Sequence, residues 1–261
     1  MRRPVAGASL AMLAFVTALA GCGDDSEDSG EESADQPELV VFAASSLGPA
    51  FEAYEPEFEG ADVIFSFAGS DDLAAQIRQG VAPDVYAAAN TELPDALAEE
   101  GLLEQPDTFV TNELVLAVPA GSEIDDVADV EQPGVSLAIG DEDVPVGTYT
   151  REVLDELGSG PSEAVLENVA SSEPDVSGIV AKLTQGAVDA GFVYRSDVES
   201  TDGELEGITL PSEVSPDVAY GIAVTTDAKQ PELAQEFVDS VRGGDGQAVL
   251  LDSGFGPAPQ G

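Results

Sequence analysis

The predicted folded body begins with the stretch Leu39-Val40-Val41-Phe42-Ala43-Ala44-Ser45-Ser46-Leu47. Its apolar run predicts a strand over 39–43, and Ser46 follows where its side chain can cap a helix predicted over 48–58. Short apolar runs and amphipathic stretches alternate along the rest of the chain. Strands that alternate with single helices indicate an α/β fold with largely parallel sheets.

The same patterns assign the remaining elements, although they do not decide between one domain and two lobes. Further strands are predicted over 62–67, 85–88, 114–118, 136–139, 190–194 and 220–225. Further helices are predicted over 71–79, 92–100, 148–157, 177–185 and 231–241.

At four points along the chain, a predicted strand or loop is followed by a small or polar residue at the start of a predicted helix. These residues are Ser46, Ser70, the segment Val146-Gly147-Thr148, and Asp175. A helix N-terminus presents unpaired N–H groups and a partial positive charge, so several together can hold an anion. The alternative is that Ser46, Ser70 and Asp175 only cap their own helices.

The composition argues against most catalytic chemistry. The chain has no histidine and no tryptophan, and Cys22 is its only cysteine. Ser/His/Asp and Cys/His catalysis are therefore excluded, and a zinc site is disfavoured. A Ser/Lys hydrolase remains as the enzyme alternative, with Lys182 or Lys229 as its base. The sequence favours a binding protein without a cofactor.

The N-terminal region has the pattern of a lipoprotein leader. Arg2 and Arg3 precede an apolar run that ends at Leu19-Ala20-Gly21-Cys22. We expect a signal peptide over 1–21 and a lipid on Cys22, followed by an acidic, disordered tether over 22–38. An ordinary secretory signal with a chance cysteine is the alternative. The paired arginines leave the export route open.

The charge of the chain is strongly negative. All 52 acidic residues but only six of the eight basic ones follow Gly21, which gives that part a formal charge of −46. Such a surface repels nucleic acid and anionic lipid, so the membrane is reached through the lipid anchor alone. The charge also indicates a high-salt habitat, in which self-repulsion is screened.

Several segments resemble, in the same order, the molybdate-binding proteins of molybdate ABC transporters. They are Val41-Phe42-Ala43-Ala44-Ser45-Ser46-Leu47, Phe65-Ser66-Phe67-Ala68-Gly69-Ser70, Leu73-Ala74-Ala75-Gln76-Ile77, Gly80-Val81-Ala82-Pro83-Asp84-Val85, Asn112-Glu113-Leu114-Val115-Leu116-Ala117-Val118-Pro119, Ala138-Ile139-Gly140-Asp141, Val144-Pro145-Val146-Gly147-Thr148-Tyr149, Gly191-Phe192-Val193-Tyr194-Arg195-Ser196-Asp197 and Ser253-Gly254-Phe255.

The resemblance implies a two-lobed type II periplasmic-binding-protein fold, with a hinge and the ligand clamped between the lobes. It places lobe 1 at 39–116 with 222–261, and lobe 2 at 117–221. It also implies an extracytoplasmic monomer that delivers its ligand to a membrane permease with a cytoplasmic ATPase.

The resemblance further implies the ligand-binding groups. The serine hydroxyls are those of Ser46 and Ser70, the backbone N–H groups those of Val146 and Val176, and the tyrosine hydroxyl that of Tyr194. These groups supply only donors, which suits the fully deprotonated molybdate, tungstate or sulfate better than partly protonated phosphate.

This sequence departs from the family pattern beside the predicted site. Val146 stands where a smaller alanine is common, although only its N–H matters for the ligand. Asp71 and Asp72 follow Ser70 where uncharged residues are usual, and we expect both carboxylates to point to solvent. A third class of function, cation binding at Asp141-Glu142-Asp143, lacks the spacing of a calcium loop.

Overall fold

The structure is a computed structural model that describes residues 36–259. The predicted leader over 1–21, the lipidation site Cys22 and the tether up to Asp35 lie outside the described residues. Gln36 and Pro37 are exposed, and the first strand begins at Glu38. None of the helices described between 36 and 259 has the length and apolar character that crossing a membrane requires.

Residues 36–259 contain strands β1 to β11, in chain order. They are Glu38–Ala44, Asp62–Ala68, Val85–Ala88, Asp107–Asn112, Leu114–Pro119, Leu137–Gly140, Val169–Glu173, Ala190–Tyr194, Leu205–Thr209, Val218–Val224 and Gly256–Pro257. Helices α1 to α9 are Gly48–Tyr54, Ser70–Arg78, Glu92–Glu99, Pro145–Leu157, Ser159–Glu167, Val176–Thr184, Arg195–Glu199, Pro231–Gly243 and Asp245–Asp252.

The described strands form two sheets. The first has the order β11-β4-β10-β3-β1-β2, and the second has the order β7-β6-β8-β5-β9. Strands β1, β2 and β3 are mutually parallel, as are β6, β7 and β8, whereas β4, β5, β9, β10 and β11 pair antiparallel with their neighbours. The prediction of largely parallel sheets is therefore wrong. Both sheets are mixed because β10 in the first sheet and β5 in the second run antiparallel to their neighbours.

The first sheet is covered on both faces, and β1 shows why. Leu39, Val41 and Ala43 belong to the same core cluster as buried side chains of helices α1, α8 and α9. Phe42 packs with α2 and α3 on the other face. A strand buried on both faces needs a continuous apolar run instead of an alternating one. This explains why 39–43 is apolar at every position.

The chain crosses between the sheets twice. It leaves the first sheet after β4 at Glu113, and it returns between the end of β9 and the start of β10. The boundaries expected after Leu116 and after Gly221 lie inside β5 and β10.

The parallel strands of both sheets end facing the same region. Strand β1 leads to Ser46 and β2 leads to α2, while β6 and β7 lead to α4 and α6, and β8 ends at Tyr194. The carboxyl ends of parallel strands are the usual position of ligand sites in α/β proteins.

Candidate functional site

One cavity is lined by all five residues predicted to bind the ligand. Ser46 and Ser70 approach from the first sheet, and Val146, Val176 and Tyr194 from the second. The empty space in the cavity is about 220 Å³, even with the open solvent at its mouth included. Pockets for drug-sized ligands have volumes of roughly 300–1,000 Å³. Its size therefore suits a small ion.

Ser46 lies in a short 3-10 turn between β1 and α1 and is buried. Its Oγ is 2.8 Å from the hydroxyl oxygen of Tyr220 in β10. The N-cap position of α1 is Leu47, and no side chain caps this helix. The predicted capping role of Ser46 is therefore wrong, because its hydroxyl is engaged with a tyrosine.

Ser70 is the first residue of α2 and is 1% exposed. The N-cap position is Gly69, and no side chain caps this helix either. The Ser70 Oγ instead accepts a 3.0 Å hydrogen bond from the N–H of Ala89, which follows β3. Because this bond uses an acceptor site of the hydroxyl, the single Ser70 hydrogen stays available for a ligand.

Two helix N-termini of the second sheet supply backbone donors. Val146 is the second residue of α4 and Val176 is the first residue of α6, so their N–H groups have no partner within the helix. The Asp175 side chain does cap α6, as predicted, and it accepts from the N–H groups of Ser177 and Gly178. The Val176 N–H is not part of that cap.

Gly147 allows α4 to begin close to the end of β6. A Cβ atom at this position would lie 1.7 Å from the carbonyl oxygen of Asp141, which no side chain tolerates. The first turn of α4 can therefore pack on the Gly140–Asp141 backbone and present the Val146 N–H at the cavity.

Tyr194 ends β8 and is 1% exposed. Its hydroxyl is buried without a hydrogen-bond partner, a condition that only one other buried side-chain atom shares among residues 36–259. Buried hydroxyls are normally paired, because an unpaired one costs about 1–3 kcal/mol. Burial raises the pKa of Tyr194 well above its ordinary value, so this hydroxyl keeps the hydrogen that a ligand would accept.

The cavity offers donors without a cationic side chain. No lysine or arginine is among the described residues that line it, and its one carboxylate, Asp175, is engaged in the helix cap. Neutral dipoles fixed in a dry site stabilise an anion, although each carries only a partial charge. A proton-bearing ligand would find no free carboxylate to accept its hydrogen.

The second unpaired buried atom is Oδ1 of Asp71. The expectation that the Asp71 carboxylate points to solvent is therefore wrong. Asp72 is exposed as expected, but Asp71 is half-buried. A Cβ atom on Gly69 would meet both Asp71 Oδ1 and the Pro174 carbonyl oxygen within 3 Å, so this turn of α2 packs on the segment before α6. Burial raises the pKa of the Asp71 carboxyl, and the charges of Asp72 and Asp143 add to the shift.

The other candidate sites of the sequence lie elsewhere. The Lys182 Nζ is 3.3 Å from Glu173 in an ion pair, and Lys229 is exposed. Asp141, Glu142 and Asp143 are exposed, and no group of three or more His, Cys, Asp or Glu within 36–259 is placed to hold a metal ion.

Sequence reasoning missed the residues that support the serines. Ala89 has only a backbone role, which leaves no signal in the side-chain pattern. Tyr220 and Asn112 both lie inside predicted strand or motif segments, yet only the fold brings Tyr220 to Ser46 and Asn112 to Tyr220.

Comparisons with known proteins agree with this architecture. A family model described as bacterial extracellular solute-binding protein matches residues 39–256. The molybdate-binding protein ModA of Mycobacterium tuberculosis is 36% identical over 92% of this chain and 94% of its own length.

Two solved structures show the same fold. The periplasmic molybdate-binding protein of Azotobacter vinelandii superposes with a TM-score of 0.76 at 20% identity, over 85% of this chain and 100% of the other. The sulfate-binding protein SubI of Mycobacterium tuberculosis superposes with a TM-score of 0.74 at 17% identity, over 85% and 87%.

Two mixed α/β sheets of this kind are the architecture of the periplasmic binding proteins, which confirms the predicted fold class. The chain belongs to the family of bacterial extracellular solute-binding proteins.

Proposed function

We propose that this protein is the extracytoplasmic component of an ABC importer that binds molybdate, or tungstate, in the cavity described above. The observation that carries the proposal is the convergence of five predicted residues on one small cavity lined by neutral donors. The likeness to a relative named as a molybdate-binding protein supports the choice of ligand.

In this proposal the five donors all bind oxygens of one tetrahedral dianion, and since it has four oxygens, at least one oxygen accepts two hydrogen bonds. Ser46, Ser70 and Tyr194 donate through hydroxyls, while Val146 and Val176 donate through backbone N–H groups. Molybdate is fully deprotonated near neutral pH, so it accepts every bond and needs no protein acceptor. The unpaired Tyr194 hydroxyl supports this assignment, because a bound oxyanion would satisfy it.

The two sheets belong, in the same proposal, to two lobes that close on the anion. The hinge segments are then Glu113 and the stretch between β9 and β10, since these join the sheets. Ser46 and Ser70 move with one lobe, and the remaining three groups move with the other.

The protein is proposed to act without catalysis, as a monomer held outside the cytoplasmic membrane by a lipid on Cys22. It delivers the anion to a membrane permease driven by a cytoplasmic ATPase. The family description supports the extracellular location. Lipidation, the signal peptide over 1–21 and the high-salt habitat remain predictions.

Sulfate is the second candidate ligand. It is also a fully deprotonated dianion, so the same donors suit it, and its shorter bonds to oxygen make it the smaller ion. The lining groups alone favour neither, and the choice of molybdate rests on the closer sequence likeness to the ModA relative.

Thermal unfolding in the presence of molybdate, tungstate, sulfate and phosphate tests the proposal. A ligand present at about a hundred times its dissociation constant adds roughly 2.7 kcal/mol to the free energy of unfolding. We expect this stabilisation with molybdate and tungstate, a smaller one with sulfate and none with phosphate. No shift with any oxyanion would refute the proposed function, and a larger shift with sulfate would assign the second candidate.

A further inference from the structure

Tyr220 has two polar partners for its hydroxyl within the described residues. The hydroxyl oxygen is 2.8 Å from Ser46 Oγ and 3.4 Å from Asn112 Nδ2, and the side chain is 0% exposed. These contacts place a buried tyrosine between the cavity serine and an amide of β4.

The orientation of the Asn112 amide follows from its other contacts. Its Oδ1 accepts a 2.9 Å hydrogen bond from the Glu113 N–H, so the opposite atom, which faces Tyr220, is the nitrogen. That nitrogen also donates to Ser196 Oγ at 2.8 Å. An amide nitrogen carries two hydrogens and accepts none.

The direction of the Tyr220–Ser46 bond is then determined. Asn112 Nδ2 cannot accept the hydrogen of Tyr220, so Ser46 Oγ is its one acceptor among these contacts. If Ser46 donated to Tyr220 instead, the Tyr220 hydrogen would be buried without a partner, which is costly. Burial also raises the pKa of Tyr220 well above its ordinary value, so the hydroxyl remains a donor.

We propose that Asn112 and Tyr220 form a positioning relay that fixes Ser46 as a donor toward the cavity. Asn112 donates to Tyr220, Tyr220 donates to Ser46, and the single hydrogen of Ser46 is left for the ligand. The inference rests on the proposed function, because the relay matters only if an anion occupies the cavity.

The relay makes Tyr220 a positioning residue that acts through Ser46. Hydrogen bonds in a chain polarise one another, so a Ser46 hydroxyl that accepts from Tyr220 is a stronger donor to an anion. Ala89 does the same for Ser70 through its backbone N–H. Both serines are thereby committed as donors, which suits a ligand that carries no hydrogen of its own.

A double-mutant cycle with molybdate as the probe tests the relay. We expect Tyr220→Phe to weaken molybdate binding about tenfold, which corresponds to about 1.4 kcal/mol. In a Ser46→Ala background the same substitution should change the affinity less than twofold, because the group it positions is absent. Isothermal titration of the four proteins gives the coupling.

A second variant reverses the relay with little change of shape. In Asn112→Asp the new carboxylate accepts the Tyr220 hydrogen, so Tyr220 no longer donates to Ser46, and its oxygen competes with the ligand for the Ser46 hydrogen. We expect a loss of at least tenfold, or about 1.4 kcal/mol, that shrinks when Ser46 is already alanine. Plain charge repulsion of the anion would persist in both backgrounds.

Tyr54→Phe is the matched structural control. The Tyr54 hydroxyl is 2.5 Å from Ser240 Oγ, so the variant removes a partly buried tyrosine–serine hydrogen bond, and neither residue lines the cavity. It should leave the affinity unchanged. The relay alone would be overturned if Tyr220→Phe and Asn112→Asp each weakened molybdate binding equally with Ser46 and with Ala at position 46. A wild-type protein that binds no molybdate would overturn the proposed function as well.

Discussion

The N–H of Ala89 donates a 3.0 Å hydrogen bond to the Oγ of Ser70. This contact joins the end of β3 to the first residue of α2 across the wall of the cavity. It leaves the serine hydrogen free, and it holds the serine through the backbone N–H of a residue distant in sequence, with no capping role. Ser46 is held instead by the side-chain hydroxyl of Tyr220, so in the proposed function both serine hydroxyls are positioned to donate to the ligand.

Replacing either serine by alanine should weaken molybdate binding by about 1.5–3 kcal/mol, the range for a hydrogen bond to a charged group. Both variants also lose stability, because Ser70→Ala leaves the Ala89 N–H unpaired and Ser46→Ala leaves the Tyr220 hydroxyl unpaired. Ser240→Ala is the control, since it leaves the Tyr54 hydroxyl without its serine partner at a position outside the cavity. Titration calorimetry and thermal unfolding should show comparable stability losses in all three, with affinity lost only at Ser46 and Ser70.

Tyr194→Phe should move affinity and stability in opposite directions. The hydroxyl is buried and unpaired, so its removal should raise the free energy of unfolding of the ligand-free protein, by up to about 1–3 kcal/mol. The same change removes a donor to the anion and should weaken binding. Chemical denaturation without ligand and calorimetry with molybdate measure the two effects. A variant that loses stability and keeps its affinity would exclude Tyr194 from the site.

Local sequence patterns indicate only part of the candidate site. Ser46, Ser70 and Val146 stand at strand-to-helix transitions that such patterns reveal, whereas Tyr194 ends an apolar run and its hydroxyl was implied only by the family resemblance. The roles of the serines could not be predicted, because whether a hydroxyl caps its own helix or bonds a distant group depends on the tertiary fold. Ala89 and Tyr220 are far from the serines in sequence.

The strands that were not predicted lack a continuous apolar run or a strict alternation of apolar and polar residues. Strand β7 reads Val169-Ala170-Ser171-Ser172-Glu173 and is only partly buried, and β4 has two apolar residues between polar ends. Whether such segments form strands depends on the neighbours with which they pair in the sheet. Helix α5 was missed because Gly160 and Pro161 stand in its first turn. The sheet order and the mixed strand directions depend on pairing between strands that are distant in sequence, such as β3 with β10 and β5 with β8, and this pairing leaves no local signal.

Asp197 should make the stability depend on pH. Burial raises the pKa of its carboxyl to about 7 from 3.8, with the nearby charge of Asp175 adding to the effect, although the carboxylate accepts a hydrogen bond from the Tyr194 N–H. Between pH of about 4 and 7 the folded protein therefore holds a proton that the unfolded chain has lost. Its contribution to stability is full below this window, falls as the pH rises through it, and is constant above it.

Asp197→Asn should remove this contribution while keeping an acceptor for the Tyr194 N–H. Each pKa unit corresponds to about 1.4 kcal/mol. The free energy of unfolding of the variant, minus that of the wild type, should therefore rise by on the order of 4 kcal/mol from the acidic to the neutral end of the window. Urea denaturation of both proteins at a series of pH values measures the difference. Parallel curves would show that the carboxyl titrates as an exposed one does.

Molybdate should associate faster as salt is raised from a low concentration. Residues 22–261 carry a formal charge of −46, so an approaching dianion is repelled over the Debye length, which is roughly 30 Å at 0.01 M salt and 8 Å at 0.15 M. The donors inside the cavity act at contact distance, so salt should change dissociation little. Stopped-flow measurements under conditions where the protein is folded check both rates, and an on-rate that falls with salt would mean that the cavity mouth attracts anions.

The location of the bound anion tests the central claim most directly. A crystal structure with tungstate would show the heavy atom by its anomalous signal, independently of the protein model. We expect a single tungsten peak with its oxygens within hydrogen-bond distance of Ser46 Oγ, Ser70 Oγ, the Tyr194 hydroxyl and the N–H groups of Val146 and Val176. A tungsten peak elsewhere on the protein, with this cavity empty, would contradict the account.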